Sequence, residues 1–94
     1  MKTWKQIVAG YPDYVLAENP NESRMRTYAL SNLDKFVEYR LAPLHSGDIH
    51  LQDIDKDTFK GKYAHWKKHD LNRAEQQVLN DLYHMAGNPV LQPA

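Results

Sequence analysis

Ninety-four residues suffice for one small domain whose core is modest relative to its surface. Twelve Lys and Arg balance twelve Asp and Glu, and a net charge of zero weighs against the strong basic excess of most autonomous nucleic-acid binders. The lack of cysteine excludes a disulfide framework and a thiolate metal site, and no apolar run is long enough for a signal peptide or a bilayer span, so the expected setting is the cytoplasm.

Thr3 predicts an N-cap, with Gln6 at the capping-box position and Trp4, Ile7 and Val8 on the apolar side. Gly10 and Pro12 predict an end or a bend. Residues 13–18 then make a further helical turn, and 1–18 together read as a short helix or arm. Its aromatics Trp4, Tyr11 and Tyr14 either pin that helix onto a bundle or mark a partner surface, and pinning is the commoner use.

Asn19-Pro20-Asn21-Glu22 predicts a helix start: Asn19 as cap, Pro20 at the first position, Glu22 near the free amides. Met25, Tyr28, Ala29, Leu33, Phe36, Val37 and Leu41 recur at helical spacing, giving a helix from about 20 to 41 that Pro43 stops. A connector over 42–53 follows, with a turn at Ser46-Gly47-Asp48 and an alternation around Ile49 and Leu51 too short for a strand. Asp53 or Asp55 caps the next helix, about 56–68, whose inward residues are Phe59, Tyr63 and Trp66. Gly61 weakens it by up to ~1 kcal/mol against alanine and permits close helix approach.

Asn72 with Glu75 predicts another capping box. Ala74, Val78, Leu82, Met85 and Ala86 line one face of that last helix, widened by Leu79 and Tyr83, and Gly87 and Pro89 end it. A helical core thus spans 19–87, with 88–94 as a linker or tail, and this layout is expected of the front piece of something longer. Amphipathic helices with apolar faces must pack them together, so the expected fold class is all-α, a small bundle of three to five helices.

The segment RTYALSNLDKFVEYRL, with Tyr28, Leu33, Phe36 and Tyr39 at their intervals, resembles the first long helix of the N-terminal core-binding domain of tyrosine recombinases (phage integrases). IHLQDIDKDTFKGKYAHW resembles the family's next element, and NRAEQQVLNDLYHMAGNP its last helix with the Asn-Pro that leads to the catalytic domain. The likeness covers roughly residues 20–90; Asn88-Pro89 arrives sooner than is usual, and the charge is neutral where many members are basic. The resemblance implies a SAM-like orthogonal bundle that forms half of a clamp around duplex DNA during strand exchange. The family's nucleophilic tyrosine and catalytic arginines belong to a separate C-terminal domain, and no residue here matches them. The chain would bind and position DNA without cutting it.

Lys56, Lys60, Lys62, Lys67, Lys68 and Arg73 make 56–73 locally basic, opposed there by Asp57 and Asp70. Lys56, Lys60 and Lys67 fall on the side away from Phe59, Tyr63 and Trp66, which suits phosphate contacts and equally suits an ordinary solvated face. Arg24, Thr27, Ser31 and Lys35 form a second stripe on the long helix, and Asn72, Arg73, Gln76 and Gln77 open the last one. Asn, Gln and Arg can make paired bonds to base edges. Asn72 is the better helix cap, leaving Arg73 and Gln76 as the groove readers. The expected DNA-binding set is Arg24, Lys35, Lys60, Lys67, Lys68, Arg73 and Gln76.

His65 and His69 share the HxxxH spacing of two zinc corners, with His45, His50 or His84 as a third, but no general base lies between them, and two surface histidines are the simpler account. The connector acids Asp48, Asp53, Asp55 and Asp57 lack a calcium loop's closing glutamate. No nucleophile elbow or phosphate loop is present, so neither an autonomous enzyme nor a cofactor is expected. The competing function is a small protein-interaction module, a phage-type accessory or inhibitor, with no DNA binding.

Overall fold

The computed structural model describes residues 2–45, 49–51, 54 and 56–86. Helix α1 runs Trp4–Glu18, α2 Ser23–Phe36, α3 Lys56–Phe59, α4 Lys62–Lys67 and α5 Arg73–Ala86. The long helices α1, α2 and α5 pack mutually, and α3 and α4 form an elbow beside them. Among the described residues no sheet forms; Thr3 and His50 make one isolated antiparallel bridge. The all-α expectation holds at the level of a helical bundle.

Helix α1 begins as predicted. Thr3 Oγ1 accepts from the Gln6 amide at 3.2 Å, and Gln6 Oε1 accepts from the Thr3 amide at 2.9 Å. Of the end or bend expected at Gly10 and Pro12, the end does not occur: the helix continues to Glu18 with Pro12 inside it. The buried face of Trp4, Ile7, Tyr11 and Val15 continues across Pro12, whose ring is exposed. Burial of that face outweighs the ~3 kcal/mol that an interior proline typically costs. Trp4 and Tyr11 thus pin the helix: the Trp4 indole donates to Asp34 Oδ1 at 2.8 Å, and the Tyr11 hydroxyl to Asp81 Oδ2 at 2.7 Å.

Pro20 opens a 3-10 turn, Pro20–Glu22, ahead of α2. Asn19 makes no side-chain cap; its carbonyl accepts from the Glu22 amide at 3.0 Å, and the Glu22 carboxylate binds Arg26 rather than free amides. The inward face of α2 is Arg26, Ala29, Leu30, Leu33 and Phe36, continued by Val37 and Leu41 on a π-helical turn, Val37–Leu41. Met25 and Tyr28, expected inward, are exposed, because Arg26 and Leu30 occupy the stripe instead. The guanidinium can sit there because Asp81 and Glu22 each accept from it at 2.9 Å. A 3-10 turn, Ala42–His45, takes the chain off at Pro43.

The apolar connector residues Ile49, Leu51 and Ile54 are buried in the same core. The Trp4 amide donates to the Ile49 carbonyl at 2.7 Å, and the Tyr83 hydroxyl to that of Ile54. The predicted turn at Ser46-Gly47-Asp48, the caps Asp53 and Asp55, the end at Gly87 and Pro89, and the tail lie outside the described residues.

The single helix expected over 56–68 is broken in two. Gly61 has φ +58 and ψ −62, the left-handed side of the map, and the Lys62 amide reaches back to the Lys60 carbonyl in a γ-turn. Nothing lies within 4 Å of a Cβ built on Gly61, so its role is conformational and not close helix approach. The break lets Phe59 bury against Trp4 and Phe36, and Tyr63 against Phe36 and Phe59, with ring centroids 5.4 to 6.4 Å apart. Trp66, expected fully inward, is half-buried against Phe36 and Tyr63.

Helix α5 starts with the predicted reciprocal cap: Asn72 Oδ1 accepts from the Glu75 amide at 2.8 Å, and Glu75 Oε1 from the Asn72 amide at 2.9 Å. Glu75 is itself buried and also accepts the Tyr63 hydroxyl. Val78, Leu79, Leu82 and Tyr83 are buried as expected, with Ala74, Met85 and Ala86 half-buried at the edge.

Candidate functional site

The described exterior carries more exposed cations than exposed acids. Among the described residues, nine cations are exposed: Lys2, Lys5, Arg24, Lys35, Arg40, Lys60, Lys62, Lys68 and Arg73. Four acids are exposed: Asp13, Glu18, Asp57 and Asp70. Part of the difference arises because five carboxylates, against two cations, are drawn inward among the described residues. Glu75 and Asp81 are buried, and Glu22 and Asp34 are half-buried on Arg26 and Trp4. Asp48, Asp53, Asp55 and the Lys56 side chain lie outside the described residues.

On α2 the exposed residues Arg24, Tyr28, Ser31 and Lys35 fall at intervals of four, three and four, so they share one outward stripe. Thr27, expected in that stripe, is half-buried, and Tyr28, expected inside, replaces it at 72% exposure. Arg24 and Lys35 stand roughly 16 Å apart along the helix axis at 1.5 Å per residue. That is about five phosphate steps of one strand at 3.4 Å per step along the duplex axis. A phenol between two cations adds a surface on which a sugar or base can pack.

The elbow holds the second group. Lys60 is exposed in the turn with a 3.6 Å ion pair to Asp57, both side chains so solvated that the pair leaves the ammonium available. Lys68 is exposed in the left-handed conformation, φ 69, that ends α4. Arg73 is exposed in the first turn of α5. Lys67 departs from expectation. It is half-buried, and its Nζ lies 5.8 Å from the centre of the Tyr63 ring, so its charge sits over an aromatic face instead of opposite it. Gln76 is exposed, but its amide donates to the Leu71 carbonyl at 3.2 Å, and base contact would require it to release that bond. Lys60 and Gln76 come together at a shallow recess of about 100 Å³ with Leu71, Leu79 and Asn80. The rings of Phe36, Tyr63 and Trp66 tie the Lys35 end of α2 to α4.

The network behind these faces holds its protons firmly. Burial, then the bond to Asp81, pushes the Tyr11 phenol well above its ordinary range. Burial and Glu75 do the same to Tyr63. Burial pulls the Arg26 guanidinium down, but its bonds to Asp81 and Glu22 outweigh that and raise it. Arg26 and Asp81 were missed as core residues, although Asp81 falls between Val78 and Leu82 on an apolar face. His65 and His69 are exposed, and among the described residues no three His, Cys, Asp or Glu side chains converge to hold a metal ion. No helix of the described residues is long and apolar enough to cross a membrane.

Compared with known proteins, the chain matches no family model, no curated protein and no solved structure.

Proposed function

We propose that this chain is a non-catalytic DNA-binding module that grips the phosphate backbone of a duplex. The single observation that carries the proposal is the exposure of Arg24 and Lys35 on one stripe of α2 together with Lys60, Lys68 and Arg73 at the elbow and the start of α5. Arg24 and Lys35 supply one row of contacts; Lys60, Lys68 and Arg73 supply another. Lys67 adds a partly screened charge, and Gln76 reaches a base edge once freed from Leu71. A duplex is favoured over other polyanions because α2 and α5 resemble the DNA-facing helices of recombinase core-binding domains. On that proposal, a SAM-like bundle clamps DNA for a catalytic domain carried elsewhere.

Fluorescence anisotropy with a labelled duplex tests it. Affinity is expected at low salt and should fall linearly on a log–log plot, by about 0.9 per phosphate contacted. No binding at low salt, or binding indifferent to salt, defeats the proposal. The exposed Leu16 and Met25, at 58% and 53%, favour a protein-interaction module as the second reading. A defined protein partner recovered by pull-down, with no DNA affinity in the same preparation, would establish that role instead.

A further inference from the structure

A groove of about 550 Å³ opens where three segments meet: the π-helical end of α2, the 3-10 turn that follows, and the start of α4. It uses none of the residues assigned above to DNA. Phe36, Leu41, Pro43 and Leu44 give it an apolar lining, and Arg40, Lys62 and His65 complete the wall with no carboxylate among the described lining residues. Such a volume falls within the range of small-molecule sites, which combine an apolar surface with a few convergent polar groups. The π-helical turn is built from an insertion-like widening of the helix, a feature frequent at functional sites. Gly61 borders the groove at a position where a Cβ would meet nothing within 4 Å, so this wall is open. Tyr39 and Leu44 stand at the groove 74% and 75% exposed, large apolar surfaces that the described fold leaves uncovered.

We propose that this groove binds a small amphipathic organic anion: an alkyl or aromatic body carrying one carboxylate. Charge complementarity selects the head group. Arg40 and Lys62 are both exposed, and neither makes an ion pair among the described residues. A ligand carboxylate therefore meets two cations without displacing an acid of the described residues, and Arg40 can hold it through two parallel N–H donors. The apolar lining selects the body. A polyphosphate would satisfy the cations but leave Leu41, Pro43 and Leu44 against its hydration shell, whereas an alkyl chain removes that surface from water.

The test is an amide-resolved NMR titration of the whole chain with decanoate and, separately, decyltrimethylammonium, both below micelle formation. Decanoate is expected to shift the Leu41, Gly61, Lys62 and His65 amides saturably, and the cationic amphiphile to bind at least about tenfold more weakly. The double variant Arg40→Glu with Lys62→Glu, at two exposed positions, should retain its circular dichroism and reverse that preference. Equal affinity for the two amphiphiles, shifts centred elsewhere, or no response to either overturns the assignment on the unsubstituted protein alone. Because the groove uses none of the residues assigned to DNA, a failed amphiphile titration of the unsubstituted protein leaves the duplex-binding test standing on its own.

Discussion

Arg26 on α2 and Asp81 on α5, 55 residues apart in sequence, meet at 2.9 Å inside the bundle and form its polar keystone. The Tyr11 hydroxyl from α1 donates to the same Asp81 oxygen, so one carboxylate joins all three long helices. Gln77 adds a 3.3 Å bond to the other oxygen. Among the described residues no buried side-chain nitrogen or oxygen is left without a partner.

Removing one partner should cost far more than removing the whole network. Asp81→Leu leaves the Tyr11 phenol without its acceptor and the buried Arg26 guanidinium with Glu22 alone, and about 3 kcal/mol of destabilisation is expected in urea unfolding. Arg26→Met should cost a similar amount, because Asp81 then remains buried with neutral donors only. The triple variant Tyr11→Phe, Arg26→Met, Asp81→Leu replaces every central group by an apolar one and should recover most of the loss. A triple variant as unstable as the sum of its parts would show that the side chains contribute separately.

Stability should fall in alkali through two buried phenols. Tyr11 and Tyr63 both titrate well above their ordinary range in the fold, because of burial first and then Asp81 and Glu75 respectively. The folded state therefore holds protons that the unfolded chain releases near pH 10. Their contribution is complete below pH ~10 and is lost as pH rises toward the folded-state values, at up to about 1.4 kcal/mol per pH unit per tyrosine. Urea unfolding above pH ~10 should show a steeper decline for the parent than for Tyr63→Phe, the difference approaching one proton. Parallel curves would mean that the Tyr63 phenol ionises freely in the fold.

Two glycines should respond oppositely to alanine. At Gly10, inside α1, a Cβ meets Met85 Cε at 3.5 Å, an ordinary contact, so Gly10→Ala should stabilise by up to ~1 kcal/mol through helix propensity. At Gly61 a Cβ meets nothing, yet φ is +58, so Gly61→Ala should cost about 1–2 kcal/mol in backbone strain alone. Thermal melts of the two variants should shift in opposite directions. Stabilisation by Gly61→Ala would mean that α3 and α4 prefer to fuse.

Local chemistry was legible and tertiary override was not. Thr3 with Gln6 and Asn72 with Glu75 announce their caps because both halves of each box lie within four residues. The passage of α1 through Pro12 depends on burial of Tyr11 and Val15 against partners far along the chain, which no local rule contains. The inward face of α2 was displaced because Tyr28 counts as apolar and Arg26 as polar, while Asp81 reverses both roles. For the candidate site, the exposure of Arg24, Lys35, Lys60, Lys68 and Arg73 follows from charge on amphipathic elements. The inward turn of Lys67 over Tyr63 and the bond from Gln76 to Leu71 depend on where α4 ends and how it meets α5. The charge of the described exterior was hidden, because a sum over residues cannot tell a buried Glu75 from an exposed Asp70.

The DNA proposal makes a residue-resolved prediction. Arg24→Ala, Lys35→Ala, Lys60→Ala, Lys68→Ala and Arg73→Ala remove exposed side chains, so their melting temperatures should stay near that of the parent. Lys68→Ala keeps the unfavourable left-handed backbone, so Lys68→Gly is the cleaner choice at that position and should not destabilise. Each phosphate-contacting cation removed should weaken binding to all duplex sequences alike and reduce the salt slope by about 1. Gln76→Ala should instead change the preference among sequences while leaving the slope unaltered, since an amide carries no counterion. Lys5→Ala provides the comparison: it is exposed on α1, outside the proposed contact set. If Lys5→Ala lowers the slope as much as Lys35→Ala, attraction is spread over the whole cationic exterior, and the α2 stripe is not a docking face.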